Sequence, residues 1–323
     1  MSICKKSLIT ILILGLSNIV LAKSFERRAR VIHIDSEVNW KKSWYISSKG
    51  KVNSLKEVVR GLEKSATGRS IIAKAKRKAA TFGQGLFDIL DAGESSLTDT
   101  TLIRKFSPDN PSEIAYETRS KVFLNKSLSF KDAVLDLAHE LTHYSFREPF
   151  NPYLTQFTVD QFVSSVIEGR GGEVDAYIIE CRVLKEIRPS SFRNNSNCRN
   201  VIDPNSGHLS KRLGVEKFYE VGKYDDTLLD ILNKYGWKKS KFPKIGSGEA
   251  LYISSAYGVP YPVAAVSEFT TIMGKACEND HKRLAIIRDS IASGRGRRPA
   301  SAGKSSFRDL YASYKSRCSL FAP

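Results

Sequence analysis

The chain has 323 residues, of which 41% are hydrophobic and 26% charged, so it can bury one large core or two smaller ones and is not disordered throughout. Its 51 Lys and Arg residues outnumber its 34 Asp and Glu residues, and the formal net charge is +17. This balance favours contact with anionic surfaces such as lipid headgroups or cell-wall polymers. The basic runs at 74–78, 238–241 and 294–298 lack a nucleic-acid-binding motif beside them, and we interpret them as solvated faces rather than as a specific nucleic-acid site.

The amino terminus has the pattern of a secretory signal peptide. Lys5 and Lys6 precede an apolar run at 8–21, and Ala22 offers a small residue for cleavage. The run is short and contains polar residues, which favours a cleaved signal over an anchor helix. We therefore predict a signal peptide at residues 1–22, and a protein that is periplasmic or secreted and has no transmembrane segment after cleavage.

Four cysteines remain after removal of the signal peptide: Cys181, Cys198, Cys277 and Cys318. An even number in an exported protein predicts disulfide bonds. Three pairings are possible, and on loop length alone we predict that Cys181 pairs with Cys198 and Cys277 with Cys318.

The first half of the chain shows both strand and helix patterns. In chain order these predict strands at 29–35 and 40–47, helices at 54–64 and 69–81 that could also form one kinked helix, and a strand at 114–124. A helix follows, with apolar residues at helical spacing from 130 to 144. Ser129 and Asp132 have the spacing of a capping box at its start.

The second half is mainly helical in its pattern. It predicts helices at 157–168, 173–187, 227–234, 263–277, 281–293 and 307–316, with a loop or subdomain boundary at 190–210.

The segment His139-Glu140-Leu141-Thr142-His143 lies inside the helix that starts after Ser129. Two histidines four residues apart share one face of a helix, so their imidazoles can bind one metal ion. Glu140 is placed to take a proton from a metal-bound water. Zinc lowers the pKa of such a water to about 7, and it also polarises a carbonyl group under attack.

A catalytic zinc requires a third protein ligand and an open fourth position. No third histidine closely follows His143, so a carboxylate is expected. Glu173 is the preferred candidate because it begins the helix predicted after Gly171 and Gly172. We thus predict one zinc ion per chain, held by His139, His143 and Glu173.

Residues 114–187 resemble the gluzincin metallopeptidases, which have an H-E-x-x-H motif on one helix and a ligating glutamate on a later helix. The resemblance implies that His139 and His143 are ligands and that Glu140 is the general base. It maps the downstream glutamate onto Glu173 and leaves two alternatives, Glu168 and Glu268. Members often have an acidic residue one turn after that ligand, where this chain has Tyr177.

Two further features of such enzymes are left open by the sequence. The edge strand that holds a substrate could be residues 121–125, which could equally be an ordinary interior strand. The donor that stabilises the oxyanion could be Tyr252, Tyr257 or His208, and none of the three is preferred.

The fold class predicted is α+β and zincin-like, a small twisted sheet packed on the active-site helix followed by a mostly helical lobe. The catalytic core is assigned to 23–190 and the helical subdomain to 191–323, and a propeptide between residues 23 and about 50 is left open. The predicted function is an exported zinc metallopeptidase acting on peptides or proteins. The alternatives are a non-catalytic envelope-binding protein whose metal is structural or absent, and a zinc amidase acting on cell-wall peptides.

Overall fold

Residues 38–106, 114–153, 157–292 and 303–321 are described by the computed structural model. The predicted signal peptide, and the strand predicted at 29–35, lie outside these ranges. The helices within them are α1 Lys51–Glu63, α2 Ala66–Ala80, α3 Leu86–Ile89, α4 Phe130–Phe146, α5 Val159–Ile167, α6 Glu173–Ile187, α7 Pro189–Asn194, α8 Ser196–Arg199, α9 Lys211–Phe218, α10 Asp225–Lys234, α11 Tyr261–Ala292 and α12 Gly303–Cys318. The strands are β1 Leu90–Gly93, β2 Leu97–Phe106 and β3 Ile114–Asn125.

The three strands form one sheet in the order β1-β3-β2. Val122 on β3 pairs in parallel with Leu90 on β1, and on its other side in antiparallel register with Thr98 on β2. Residues 121–125 therefore belong to an interior strand, and the expectation that they form the substrate edge is wrong. Because β1 and β2 already occupy both sides of β3, β2 is an outer strand of the sheet.

Helix α4 is the central helix of the fold. Its first turn is capped by the Ser129 hydroxyl, which accepts a hydrogen bond of 3.2 Å from the backbone N–H of Asp132. Twelve of its 17 residues are buried, and it packs against α1, α2, α6 and β3. The absence of a side chain at Gly61 lets α1 come close to α4, since a Cβ built there would lie 2.8 Å from Val134.

The predictions for the first half are mostly confirmed. The patterns at 54–64 and 69–81 form two helices, α1 and α2, and the strand predicted at 114–124 is β3. The strand predicted at 40–47 is wrong, since 3-10 turns occupy its two ends and Ser43 between them forms only an isolated bridge with Ser129. Trp44 explains the difference: its side chain is buried, and its indole N–H donates to the carbonyl oxygen of Asn125 at 2.7 Å. The packing of Trp44 into the core therefore sets the conformation of this segment.

In the second half, the helices predicted at 263–277 and 281–293 are one continuous helix, α11. The polar residues between them break the apolar pattern without ending the helix. Asp280 in that gap is buried and forms ion pairs with Arg104 on β2 and Arg317 on α12. The region at 190–210, expected to be a loop, contains the short helices α7 and α8.

The buried apolar residues form two clusters. The first joins α1 to α4 with the sheet, and the second joins α5 with α9 to α12. Helix α6 belongs to both, because Cys181 and Leu184 lie in the first cluster whereas Val174 and Ile178 lie in the second. Helix α6 therefore lies where the two clusters meet.

Both predicted disulfides are confirmed, Cys181 with Cys198 and Cys277 with Cys318. The first joins α6 to α8, and the second joins α11 to α12. Such bonds are typical of proteins that fold in an oxidising compartment. None of the described helices has the length and apolar character needed to cross a bilayer.

Loop length predicts how much each disulfide stabilises the fold. The cysteines are 17 residues apart in the first pair and 41 in the second. Replacing both cysteines of a pair by alanine should lower the free energy of unfolding by about 3 kcal/mol for the first and about 4 kcal/mol for the second. Urea unfolding of the two double variants measures this, and an unchanged midpoint in either would contradict the constraint assigned to that bond.

Candidate metal centre

Helices α4 and α6 bring three side chains together. His139 and His143 come from successive turns of α4, and Glu173 is the first residue of α6. Nε2 of His139 lies 3.4 Å from Oε2 of Glu173, and Nε2 of His143 lies 3.5 Å from Oε1. One potential ligand atom from each residue falls within 4.8 Å of the other two. The three residues predicted as ligands thus form one compact group.

The turn before α6 makes this approach possible. Gly171 has φ +71°, and a Cβ at this position would lie 2.7 Å from the backbone nitrogen of Arg147 at the end of α4. Only glycine fits such a conformation at such a distance. Its carbonyl oxygen lies 2.8 Å from Nδ1 of His143 and accepts a hydrogen bond from it. The same turn that delivers Glu173 therefore orients one of the two histidines.

His139 is oriented in a similar way. Its Nδ1 lies 3.4 Å from Oε2 of Glu180, two turns after Glu173 on α6. Each histidine thus has an acceptor near its Nδ1, and each directs its Nε2 toward Glu173. Metal-binding histidines commonly have such an outer partner, which sets the tautomer and the ring orientation.

Glu180 was not recognised in the sequence. The resemblance indicated position 177 as the place of an acidic residue, but this chain has Tyr177 there, which packs against Phe218 and Tyr252. The available signal was the seven-residue spacing from Glu173, which places Glu180 on the same face of a helix.

The histidines and carboxylates of the group shift the pKa values of one another. Burial by itself would lower the pKa of His139, but hydrogen bonds to Glu173 and Glu180 and the nearby Glu140 carboxylate raise it well above its usual value. Burial would raise the pKa of Glu173, but the two histidines hold it well below its usual value. Glu173 is therefore ionised and faces positive charge, an arrangement that a metal cation also satisfies.

Glu140 is buried beside the group. Burial raises the pKa of its carboxyl group, although His143 and His139 act in the opposite direction. Thr98 Oγ1 on β2 lies 2.9 Å from both Oε2 and the backbone oxygen of Glu140, and it donates to one of them. A carboxyl group whose pKa is shifted toward neutrality is suited to accepting and returning a proton. The sequence analysis did not identify Thr98 because it predicted neither a strand nor a helix for this segment.

The group lies in a cleft of about 420 Å³. Its lining includes residues of the outer strand β2, Ser96 before it, the loop at 254–257 and the start of α11. The lining includes Ser96, Leu97, Thr98, Asp99, Thr100, Phe150, Phe162, Ser255, Tyr257, Tyr261, Glu268 and Ile272. The cleft is therefore open to a ligand that can reach His139, Glu140, His143 and Glu173.

The two alternative ligands lie outside the three-residue group. Glu168 binds Lys244, with Oε1 and Oε2 each 2.6 Å from its Nζ, and it also accepts hydrogen bonds from Ser164 and Tyr219. Glu268 lines the cleft but contributes no atom to the group. Glu173 is thus the carboxylate that the fold places against both histidines.

The three residues considered as oxyanion donors differ in their position relative to the cleft. Tyr252 donates a hydrogen bond to the backbone oxygen of Asn197, and His208 is exposed in a turn. Of the three, Tyr257 is the one that lines the cleft. Two further donors in the cleft were missed by sequence reasoning.

Tyr261 is the first of these donors, and it begins α11. Burial raises the pKa of its hydroxyl group well above the usual range, and the nearby negative charges of Glu173 and Glu140 add to the shift. The second is Arg147, whose Nη1 lies 4.0 Å from Oε1 of Glu173. Among many tyrosines and arginines, no local pattern distinguishes these two.

Comparison of the chain with protein-family models, with curated proteins and with solved structures found no match in any of the three.

The close contact at Gly171 can be tested by substitution. Gly171→Ala should lower the free energy of unfolding by more than the 1–2 kcal/mol, roughly, that the left-handed backbone costs alone, because its Cβ would overlap the end of α4. Gly236→Ala is the matched control, since its φ is +66° but its Cβ would meet no atom within 4 Å. Urea unfolding with chelator in every sample measures both, and equal losses would show that the approach of α6 to α4 is not tight.

Proposed function

We propose that this protein is an exported zinc-dependent metallopeptidase. The observation that carries the proposal is the arrangement of His139, His143 and Glu173. Both Nε2 atoms face the two oxygens of Glu173, both Nδ1 atoms have acceptors, and Glu140 adjoins the group. The two disulfides support export, because such bonds persist in oxidising compartments.

The donor set fits zinc. Two imidazoles and one carboxylate are a common set for a catalytic zinc whose fourth position is open. Ligand atoms about 2.1 Å from a tetrahedral ion are roughly 3.4 Å apart, and the two histidine-to-glutamate separations here are 3.4 and 3.5 Å. These two separations suit a tetrahedral zinc ion.

A zinc ion held by these residues would supply a bound water with a pKa near 7 and would polarise the carbonyl group of the scissile bond. Glu140 takes the proton from the attacking water and passes it to the nitrogen of the leaving amine. The Thr98 hydroxyl lies 2.9 Å from Oε2 of Glu140 and can hold this carboxylate in the cleft. Tyr261 and Arg147 line the cleft and can donate to the oxygen on which negative charge develops.

The substrate chain would lie along β2. This strand lines the cleft through residues 97–100 and Leu102, and its side away from β3 pairs with no other described strand. An extended peptide can add to such an edge through main-chain hydrogen bonds. We therefore assign to β2 the substrate-binding role that the sequence analysis considered for residues 121–125.

The competing class is a non-catalytic binding protein with a structural metal, which would require a closed site of four ligands. The potential metal group among the described residues has three members, and its neighbour Glu140 lies 2.9 Å from the hydroxyl of Thr98. A buried carboxylate next to a three-ligand group favours catalysis.

Metal content and cleavage separate the roles of the two glutamates. One zinc per chain is expected in the purified protein. Glu173→Ala should lose most of it, whereas Glu168→Ala should retain it, because Glu168 is bound to Lys244 instead. Glu140→Gln should keep its zinc but lose cleavage by at least about 100-fold, as expected for removal of a general base.

Elemental analysis gives the zinc content, and a mixed library of protein-derived and cell-wall peptides reports cleavage and distinguishes a protease from an amidase. A protein that binds no zinc even after reconstitution would reject the proposal. Loss of zinc in Glu140→Gln would contradict its role as a base.

Glu180 should matter for metal affinity without touching the metal. Replacing Glu180 by Gln removes the negative acceptor beside Nδ1 of His139, and it should weaken zinc binding by about 10- to 100-fold. Glu278→Gln is the control, since Glu278 is exposed and pairs with Lys282. Competition with a zinc chelator measures both affinities, and an unchanged affinity in Glu180→Gln would mean that His139 does not depend on this partner.

A further inference from the structure

The charge of the cleft is opposite to that of the whole chain. Lys and Arg outnumber Asp and Glu by 51 to 34 in the sequence. In the cleft lining the acidic residues are five and the basic residues two: Asp99, Glu140, Glu148, Glu173 and Glu268 against Lys78 and Arg147. Even with a bound dication and neutral histidines, the cleft would carry one net negative charge. A strongly basic protein thus presents an acidic cleft, which favours a cationic ligand group.

Glu268 is the acidic residue of the cleft without an assigned partner or role. Glu140 and Glu173 belong to the site already described, and Asp99 and Glu148 are exposed. Glu268 is half-buried in the second turn of α11, and it forms no ion pair with another described side chain. Burial raises the pKa of its carboxyl group, which Arg147 opposes and Glu173 reinforces. Arg147 has its nearest carboxylate in Glu173, at 4.0 Å.

Helices α5 and α11 contribute apolar side chains to the lining of the cleft. Ile272 lies one turn after Glu268 on α11, and Phe162 and Val166 face the cleft from α5, which packs against α11. Phe150 contacts Phe162 with ring centroids 4.9 Å apart. Apolar walls with one carboxylate suit a side chain that has a long aliphatic stem and a cationic end.

Tyr257 adds an aromatic group at the opening. Its side chain is 45% exposed and lines the cleft. Burial of its hydroxyl group and the charge of Glu268 together raise its pKa to about 12. Tyr257 and Glu268 both line the cleft. An aromatic ring beside a carboxylate favours a cation further, because the ring face attracts positive charge.

We propose that Glu268 is a specificity-determining residue that binds the ammonium or guanidinium group of a lysine or arginine side chain of the substrate. The inference rests on the proposed function for the identity of the substrate as a peptide. The stem of the side chain lies against Phe162, Val166 and Ile272, and its cationic end meets the carboxylate. A guanidinium group can form two parallel hydrogen bonds with it, so arginine should be preferred to lysine.

Binding of a small probe tests the site without requiring peptidase activity. Calorimetric titration at about pH 8, where a carboxyl group with a raised pKa is ionised, compares n-butylguanidinium with the neutral n-butylurea. Glu268→Gln should weaken n-butylguanidinium binding by roughly tenfold and leave n-butylurea unchanged. Glu148→Gln is the matched control, an exposed glutamate of the same cleft that should have no effect. Equal binding of the cation to the parent and Glu268→Gln would overturn the proposal.

Peptide cleavage tests the consequence for specificity. Otherwise identical peptides with arginine, lysine or the uncharged norleucine at each position near the scissile bond are compared by kcat/KM. The parent should prefer arginine and lysine, and Glu268→Gln should reduce that preference on the order of 100-fold, mainly for the charged substrates. Glu268→Asp keeps the charge and should retain part of the preference, which excludes misfolding as the cause.

The two tests distinguish the inference from the proposed function. Butylguanidinium binding that depends on Glu268, with no cleavage of any peptide, would reject the peptidase and keep the cation site. Cleavage with the same preferences in the parent and in Glu268→Gln would keep the peptidase and reject the role of Glu268. Peptides with acetylated and free amino termini complete the series, since a Glu268-dependent preference for a free terminus alone would also overturn side-chain recognition.

Discussion

The site depends on the close packing of the first turn of α6 against the last turns of α4. Gly171 permits this approach because it tolerates positive φ and has no side chain, and its carbonyl oxygen orients His143. Glu173 follows immediately and meets both histidines. If the two helices moved apart by the width of a methyl group, the glutamate would no longer face both imidazoles. A single backbone turn thus sets the geometry of the whole group.

This packing places several ionisable groups in a region from which water is largely excluded. Burying charged groups is costly unless they are paired, and a hydrophobic core of the same volume would often be more stable. Here the two histidines face Glu173, and Glu180 and Gly171 satisfy the outer nitrogens. An arrangement that concentrates such groups at the floor of an open cleft is typical of a functional site rather than of a structural core.

The cleft walls are joined to the floor by specific contacts. Thr98 links β2 to Glu140 on α4, and farther along the same strand Arg104 pairs with Asp280 on α11. Tyr261 at the start of α11 lines the same cleft as Glu173. The outer strand and the long helix are therefore coupled to the proposed catalytic groups. Since none of these contacts is local in sequence, their partners could not be paired by spacing or periodicity.

The sequence by itself indicated the helices that carry the site, and helical spacing grouped His139, Glu140 and His143, because such spacing is a local property. It favoured Glu173 and the two observed disulfide pairings without excluding their alternatives. The tertiary structure decided which strand is outermost and which acidic residue stands behind His139. It also separated Glu168, bound to Lys244, from Glu268 in the cleft. These outcomes depend on contacts between segments distant in the chain, and such contacts are set by packing, which no local pattern records.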